Sequence, residues 1–169
     1  MADGRDDVAE TDKTAIITAC AGGIGLVTAT ALRREGWRVI MSDADEDAGL
    51  READRIGAEF RRCDVKDGDQ IAALFDGIGR LDLLVNNAGI MGPSCATWEC
   101  PVDGWRETLE INLTAQMIAC KYAVPIMLSQ RSGSIVNMSS VAGRHGWPTR
   151  AAYAASKWGV LGFTATLAE

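Results

Sequence analysis

Five short runs rich in β-formers recur along the 169-residue chain, each followed by a helical pattern, and this alternation restricts the fold more than any other feature. The runs are Thr14 to Thr18, Arg38 to Met41, a weaker Ala58 to Arg62, Leu81 to Val85, and Ser134 to Met138. All but Ala58 to Arg62 are mostly continuous apolar stretches, as expected of parallel strands covered on both faces. Helices are expected at Ile24 to Glu35, Asp45 to Ile56, Asp67 to Gly77, Trp105 to Ser129 and Thr149 to Ala168. Strand then helix, repeated, predicts an α/β protein with a doubly wound parallel sheet and right-handed crossovers. No domain boundary is visible between residues 13 and 169, and Pro125 is expected to kink the fourth helix.

Composition removes several function classes. A formal charge of -6 without a Lys/Arg cluster argues against a nucleic-acid partner, which needs a concentrated basic patch. No run approaches the roughly 18 uninterrupted apolar residues of a membrane span, so no membrane partner is expected. Cys20, Cys63, Cys95, Cys100 and Cys120 are scattered, with neither zinc spacing nor a CxxC pair. They read as reduced, buried thiols of a cytoplasmic protein, and no metal is expected. Residues 1–12 lack a signal-peptide core and are too polar to bury; they are expected to form a flexible tail.

After the first run comes TACAGGIG, Thr18 to Gly25, opening directly into a helix. Closely spaced glycines between a strand and a helix N-terminus let backbone N–H groups and the helix dipole face a pyrophosphate. A tight turn that binds nothing is the other reading of this stretch taken alone. The second run leads to Ser42 and Asp43, and Asp43 stands 18 residues after Gly25, near the spacing at which an acidic residue accepts bonds from the adenosine ribose. A carboxylate there would repel the 2′-phosphate of NADP, so NAD is favoured. Asp43 or Asp45 could equally cap the helix that follows.

Four separated motifs now resemble one family, the short-chain dehydrogenases/reductases, over Thr14 to the last residue. TACAGGIG is similar to the family's TGxxxGxG turn, NNAG (Asn86 to Gly89) follows the fourth strand, Ser140 stands in NMSS after the fifth, and YAASK (Tyr153 to Lys157) matches YxxxK. The resemblance implies a Rossmann-like sheet. It also implies that Gly23, Gly25 and the backbone of Ile24 line the pyrophosphate, that Asp43 takes the ribose, and that Asp64 takes the adenine edge. Asn87, Ala88 and Gly89 would flank the cofactor, with Thr18, Val65, Tyr153 and Lys157 completing the cofactor-binding set. Asn112 in EINLT matches the family's proton-relay asparagine, and Ser140 would hydrogen-bond the substrate oxygen. Ala19 replaces the first glycine of the motif, a change that is tolerable where the residue keeps φ below zero.

Residues four apart on a helix share a face, which would set the Tyr153 phenol beside the Lys157 ammonium. A free tyrosine ionises near pH 10, and a neighbouring cation favours the phenolate, bringing it toward use as a general acid/base. The function implied is an NAD(H)-dependent oxidoreductase moving a hydride between nicotinamide and a small secondary alcohol or ketone, with Asn112, Ser140, Tyr153 and Lys157 as catalytic residues. The alternative is a catalytically silent homologue that binds only nucleotide or a partner subunit. Only a helix follows the fifth strand, so the family's C-terminal strands, including the sixth of the order 3-2-1-4-5-6, are expected to be missing. That leaves Ser134 to Met138 as an edge strand. The helices at 105–129 and 149–168 resemble those through which the family pairs subunits, implying a homo-oligomer. His145 reads as a solvated loop residue, and Trp98, Trp105 and Trp147 as packing residues. Cys20 and Cys95 are placed near the cofactor cleft, with nothing beside them to activate a thiolate.

Overall fold

The computed structural model describes residues 12–169. The expected tail therefore lies outside the described residues apart from Asp12. Five parallel strands form one sheet in the order β3-β2-β1-β4-β5: β1 is Thr14–Thr18, β2 Arg38–Asp43, β3 Glu59–Arg62, β4 Leu83–Asn86 and β5 Ser134–Asn137. The central strand pairs Thr18 with Ser42 on one side and Ile17 with Val85 on the other. β5 pairs only with β4, through contacts such as Asn86 with Asn137.

Alternate residues of a strand point to opposite faces, so a sheet covered twice needs apolar side chains at consecutive positions. Ile16, Ile40 and Leu84 enter one core, packed against Ile71 of α3 (Gly68–Ala73) and Ala115, Ala119 and Ala123 of α5 (Ala115–Gln130). Their neighbours Ile17, Val39, Met41 and Val85 enter the other, against Ala29 of α1 (Gly23–Arg34) and Ala53 of α2 (Glu46–Ile56). Ile16 and Ile17 are fully buried, each worth about 1.5–3 kcal/mol in removed apolar surface.

Local chemistry sets the helix ends. Asp45 caps α2 by accepting from the Ala48 N–H at 3.0 Å, as one of the two alternatives for this region foresaw. Asp67 caps α3 by accepting from the N–H groups of Asp69 and Gln70. α3 then gives way to turns after Ala73, shorter than the expected run to Gly77.

The expected helix at Trp105 to Ser129 is instead a composite: α4 (Val102–Leu109), a π turn at Glu110–Thr114, and α5. Pro125 lies inside α5, which continues to Gln130, and the π turn is a second irregularity of the stretch. Joined end to end, Val102–Gln130 is a 29-residue helical stretch that contains an 18-residue window of mean hydropathy 1.2, long and apolar enough by composition to cross a membrane. Charged and polar residues interrupt this stretch, so no uninterrupted apolar run marks it in the sequence. In the fold this stretch presents Ala115, Ala119, Cys120, Ala123 and Met127 to the sheet.

Candidate functional site

Parallel strands deliver their C-terminal ends to one edge, and the crevice between β1 and β4, where the order of connection reverses, opens there. The two strand ends are interlocked. The Thr18 hydroxyl oxygen accepts from the N–H groups of Asn87 (3.0 Å) and Ala88 (3.2 Å), while Asn87 Nδ2 donates to the carbonyls of Thr18 (3.1 Å) and Ala19 (2.8 Å).

The glycine turn divides by role. A Cβ on Gly25 would stand 2.6 Å from the Ala19 carbonyl oxygen and 2.8 Å from Asn87 Nδ2, so this glycine lets α1 approach the strand end. Gly22 and Gly23 have open space where a Cβ would be, and Gly23 takes φ +54. Ile24 beside them is exposed, and no side chain caps the α1 N-terminus at Gly22. The first N–H groups of α1 thus face outward from an unobstructed backbone cradle suited to an anion. Ala19 adopts φ +52, so the condition under which its methyl is harmless is not met; the residue carries left-handed strain.

Asp43 is turned toward this loop. Its Oδ2 accepts from the Ala21 N–H at 2.9 Å and its Oδ1 from the Asp45 N–H at 3.1 Å, bracing the glycine turn against the start of α2. Asp64 accepts from the Lys66 N–H, and Val65 packs on the sheet core. Cys20 is not at the cleft surface. It is fully buried, donating to the Ile17 carbonyl, and burial pushes its thiol up to about 12.

On the other side of the crevice, α6 (Ala151–Ala168) carries Tyr153 and Lys157 one turn apart. Lys157 Nζ lies 5.7 Å from the Tyr153 ring centroid and donates to the Met138 carbonyl at 2.8 Å. Lys157 is buried, which depresses its ammonium pKa by desolvation. A Cβ on Gly89 would meet Lys157 Nζ and Asn112 Oδ1 at 3.3 Å each, so the NNAG backbone lies directly against these groups. Asn112, fully buried in the π turn, clamps Ile90 from both sides: Oδ1 accepts from its N–H at 2.8 Å and Nδ2 donates to its carbonyl at 2.9 Å. Nδ2 also donates to the Ser156 hydroxyl, and the Asn112 carbonyl takes a bond from Gln116 Nε2 at 2.8 Å. Ser140 Oγ accepts from the Ala142 N–H and caps the short turn Val141–Gly143.

Several supporting residues escaped the sequence reading. Ser139 Oγ donates to the Lys157 carbonyl, tying the end of β5 to α6, and Ser156 and Gln116 brace Asn112. The pairs Ser139/Ser140 and Ser156/Lys157 adjoin motif residues, but which neighbour turns inward is not encoded in the motif. Trp147, 48% exposed, packs edge-on against Tyr153 at 6.5 Å between centroids, whereas Trp98 is 87% exposed and is not a packing residue. His145 is exposed.

A family model described as short chain dehydrogenase matches residues 13–169. The chain belongs to the short chain dehydrogenase family. Among relatives of the family, it is 42% identical to trans-4-hydroxycyclohexanecarboxylate dehydrogenase of Sinomonas cyclohexanicum, over 96% of this chain and 67% of that enzyme. It superposes at TM-score 0.86 on a short chain dehydrogenase/reductase from Burkholderia phymatum in complex with NAD, at 34% identity over 92% of this chain and 58% of that one. Actinorhodin polyketide ketoreductase with NADPH superposes at TM-score 0.87, with 36% identity over 92% and 63% of the two chains. The chain thus spans about two thirds or less of the length of these family members.

Proposed function

We propose that this chain carries the cofactor cradle and acid/base group of an NAD(H)-dependent oxidoreductase acting on a small secondary alcohol or ketone. The observation that carries the reading is the buried Lys157 ammonium standing over the Tyr153 ring, beside the NNAG backbone and across the crevice from an open helix N-terminus. The dinucleotide, when bound, accepts or donates the hydride. The cradle at Gly22 to Gly25 offers N–H groups to its pyrophosphate, and the Asp43 carboxylate offers acceptors to ribose hydroxyls while disfavouring a 2′-phosphate. Asp64 and Val65 border the adenine, and Thr18, Asn87, Ala88 and Gly89 hold the crevice floor.

Tyr153 takes the substrate hydroxyl proton during oxidation and returns it during carbonyl reduction. Ser140 orients the substrate oxygen, Lys157 holds the ribose beside the phenol, and Asn112 fixes the floor on which both act. The same reading places the protein in the cytoplasm as a homo-oligomer paired through α4, α5 and α6. NADH fluorescence titration with a hydride-transfer assay tests it. Tyr153→Phe is expected to retain NADH binding and lose at least 100-fold in turnover. Unchanged turnover in the variant overturns the assignment of Tyr153, and binding without turnover in the parent chain supports only the nucleotide-binding part.

A further inference from the structure

Tyr153 stands in the first turn of α6, which begins at Ala151. This end of the helix carries no side-chain cap: Arg150 occupies the N-cap position in a non-helical conformation, and its side chain makes no capping bond. The N–H groups of a first turn have no partner within the helix, and an uncapped end opens at little cost. A phenol that has to meet a substrate oxygen at hydrogen-bond distance is therefore carried on the least constrained turn of its helix, unless something outside the helix holds that turn.

Ties run from both sides of Tyr153 to the strap, residues 90–101, that joins NNAG to α4. Ahead of the helix, Arg150 Nη1 donates to the Gly92 carbonyl at 2.8 Å, the Cys95 N–H donates to the Thr149 carbonyl at 3.1 Å, and the Ser94 and Thr149 hydroxyls lie 3.4 Å apart. Thr149 takes φ +63, a state that a β-branched residue holds only where its surroundings impose it. Gly92 is itself fixed: it also takes φ +63, and a Cβ there would run into the side chain of Thr108, which is fully buried on α4. One turn beyond Tyr153, the Ser156 hydroxyl donates to the Tyr153 carbonyl at 2.7 Å and accepts from Asn112 Nδ2, the amide that grips Ile90. Arg150 and Ser156 thus stand at equal distances along the chain before and after Tyr153, and both lead to the same short piece of strap.

We propose that Arg150 is a positioning residue for Tyr153: its bond to the Gly92 carbonyl takes the place of a helix cap and holds the first turn of α6 at a set distance from the end of β4. The half-buried guanidinium spans from the helix start to the strap, and its planar fork loses less freedom per bond than a lysine would. With this tie cut, Ser156 still holds the second turn while the first loosens, and the phenol leaves the place where it meets the substrate oxygen. What that place serves rests on the proposed acid/base role of Tyr153; the tie itself rests on the bonds alone.

Tyr122 and Tyr153 are the two tyrosines of the chain, so protein labelled with 3-fluorotyrosine gives two fluorine resonances, assigned with Tyr122→Phe. Tyr122 packs against the sheet core and serves as the internal control. In Arg150→Ala the Tyr153 resonance is expected to shift and broaden while that of Tyr122 stays in place. NADH-dependent carbonyl reduction is expected to fall about 10–100-fold in kcat at an unchanged NADH dissociation constant. Arg150→Lys, which keeps a donor on a long stem, is expected to lie between parent and Arg150→Ala, and its spectrum decides the matter should Arg150→Ala not fold. A Tyr153 resonance unmoved in these variants, one that moves only together with that of Tyr122, or unchanged kcat in an active chain each overturns the proposal. The hydride chemistry fails separately: a parent chain without turnover, whose Tyr153 resonance still responds to the loss of Arg150, keeps the tie and loses the reaction.

Discussion

Ala19 shows how a single methyl group becomes informative once its backbone angle is known. The turn requires a left-handed residue at this point, and alanine adopts φ +52 there against a steric cost that glycine avoids. The bonds that Asn87 Nδ2 makes to the Thr18 and Ala19 carbonyls hold the strained peptide in place. Ala19→Gly relieves the strain but adds unfolded-chain entropy, so a net gain of about 0.5–1 kcal/mol is expected, read as a higher urea midpoint at unchanged slope. A lower midpoint would refute the strain. The motif's residue types were legible in the sequence, including the departure at position 19. The sign of φ was not, because it depends on where the strand end and α1 are pinned by β4. The same limit applies to Asp43: its spacing from the glycines was readable, whereas its bonds to the Ala21 and Asp45 N–H groups follow from the approach of two loops.

At the scale of elements, the π turn at Glu110–Thr114 is the feature that periodicity could not supply. One helical pattern runs from α4 into α5, and the extra residue per turn rotates Asn112 into the protein so that it can grip Ile90. Asn112→Leu keeps the branched heavy-atom skeleton while leaving the Ile90 N–H and carbonyl without their partners. The expected loss is about 2 kcal/mol. Amide hydrogen exchange provides the specific readout, since Ile90 should exchange much faster in the variant; retained protection at Ile90 would show that the clamp is not what orders the NNAG segment. Element boundaries elsewhere differ from the sequence reading by only a few residues. β2 extends to Asp43 because its last residues pair with β3, a contact that local propensity does not register.

At the scale of the whole molecule, burial in two cores couples the thiols to global stability. Burial pushes Cys20 up to about 12 from an ordinary 9.0, and Cys63 and Cys120 up to about 11. A thiol whose folded pKa is raised contributes stability that is fully present below the unfolded value and lost as pH climbs toward the folded one. Lys157 acts in the opposite sense: its pKa is lowered by burial, so its penalty is relieved as pH rises through 10.5. Three thiols outweigh one lysine, and the unfolding free energy is expected to fall between about pH 9 and 11. Denaturant titrations should show Cys20→Ala with a slope shallower by up to about 1.4 kcal/mol per pH unit, one proton's share. An identical slope in the variant would mean that this thiol does not stay protonated in the fold.

The chain by itself determined the order of strands and helices, the residue types of the glycine turn, NNAG and YAASK, and through them the family. These are local patterns, set by hydrophobic period and by which residues tolerate a close backbone. Tertiary structure alone decided that Ala19 is strained, that Asn112 reaches inward from a π turn, and that the Lys157 ammonium donates to the Met138 carbonyl. Each of those facts joins groups whose separation is fixed by how β1, β4, β5 and α6 pack. A side chain's partner is chosen by three-dimensional distance, and the linear pattern holds no record of it.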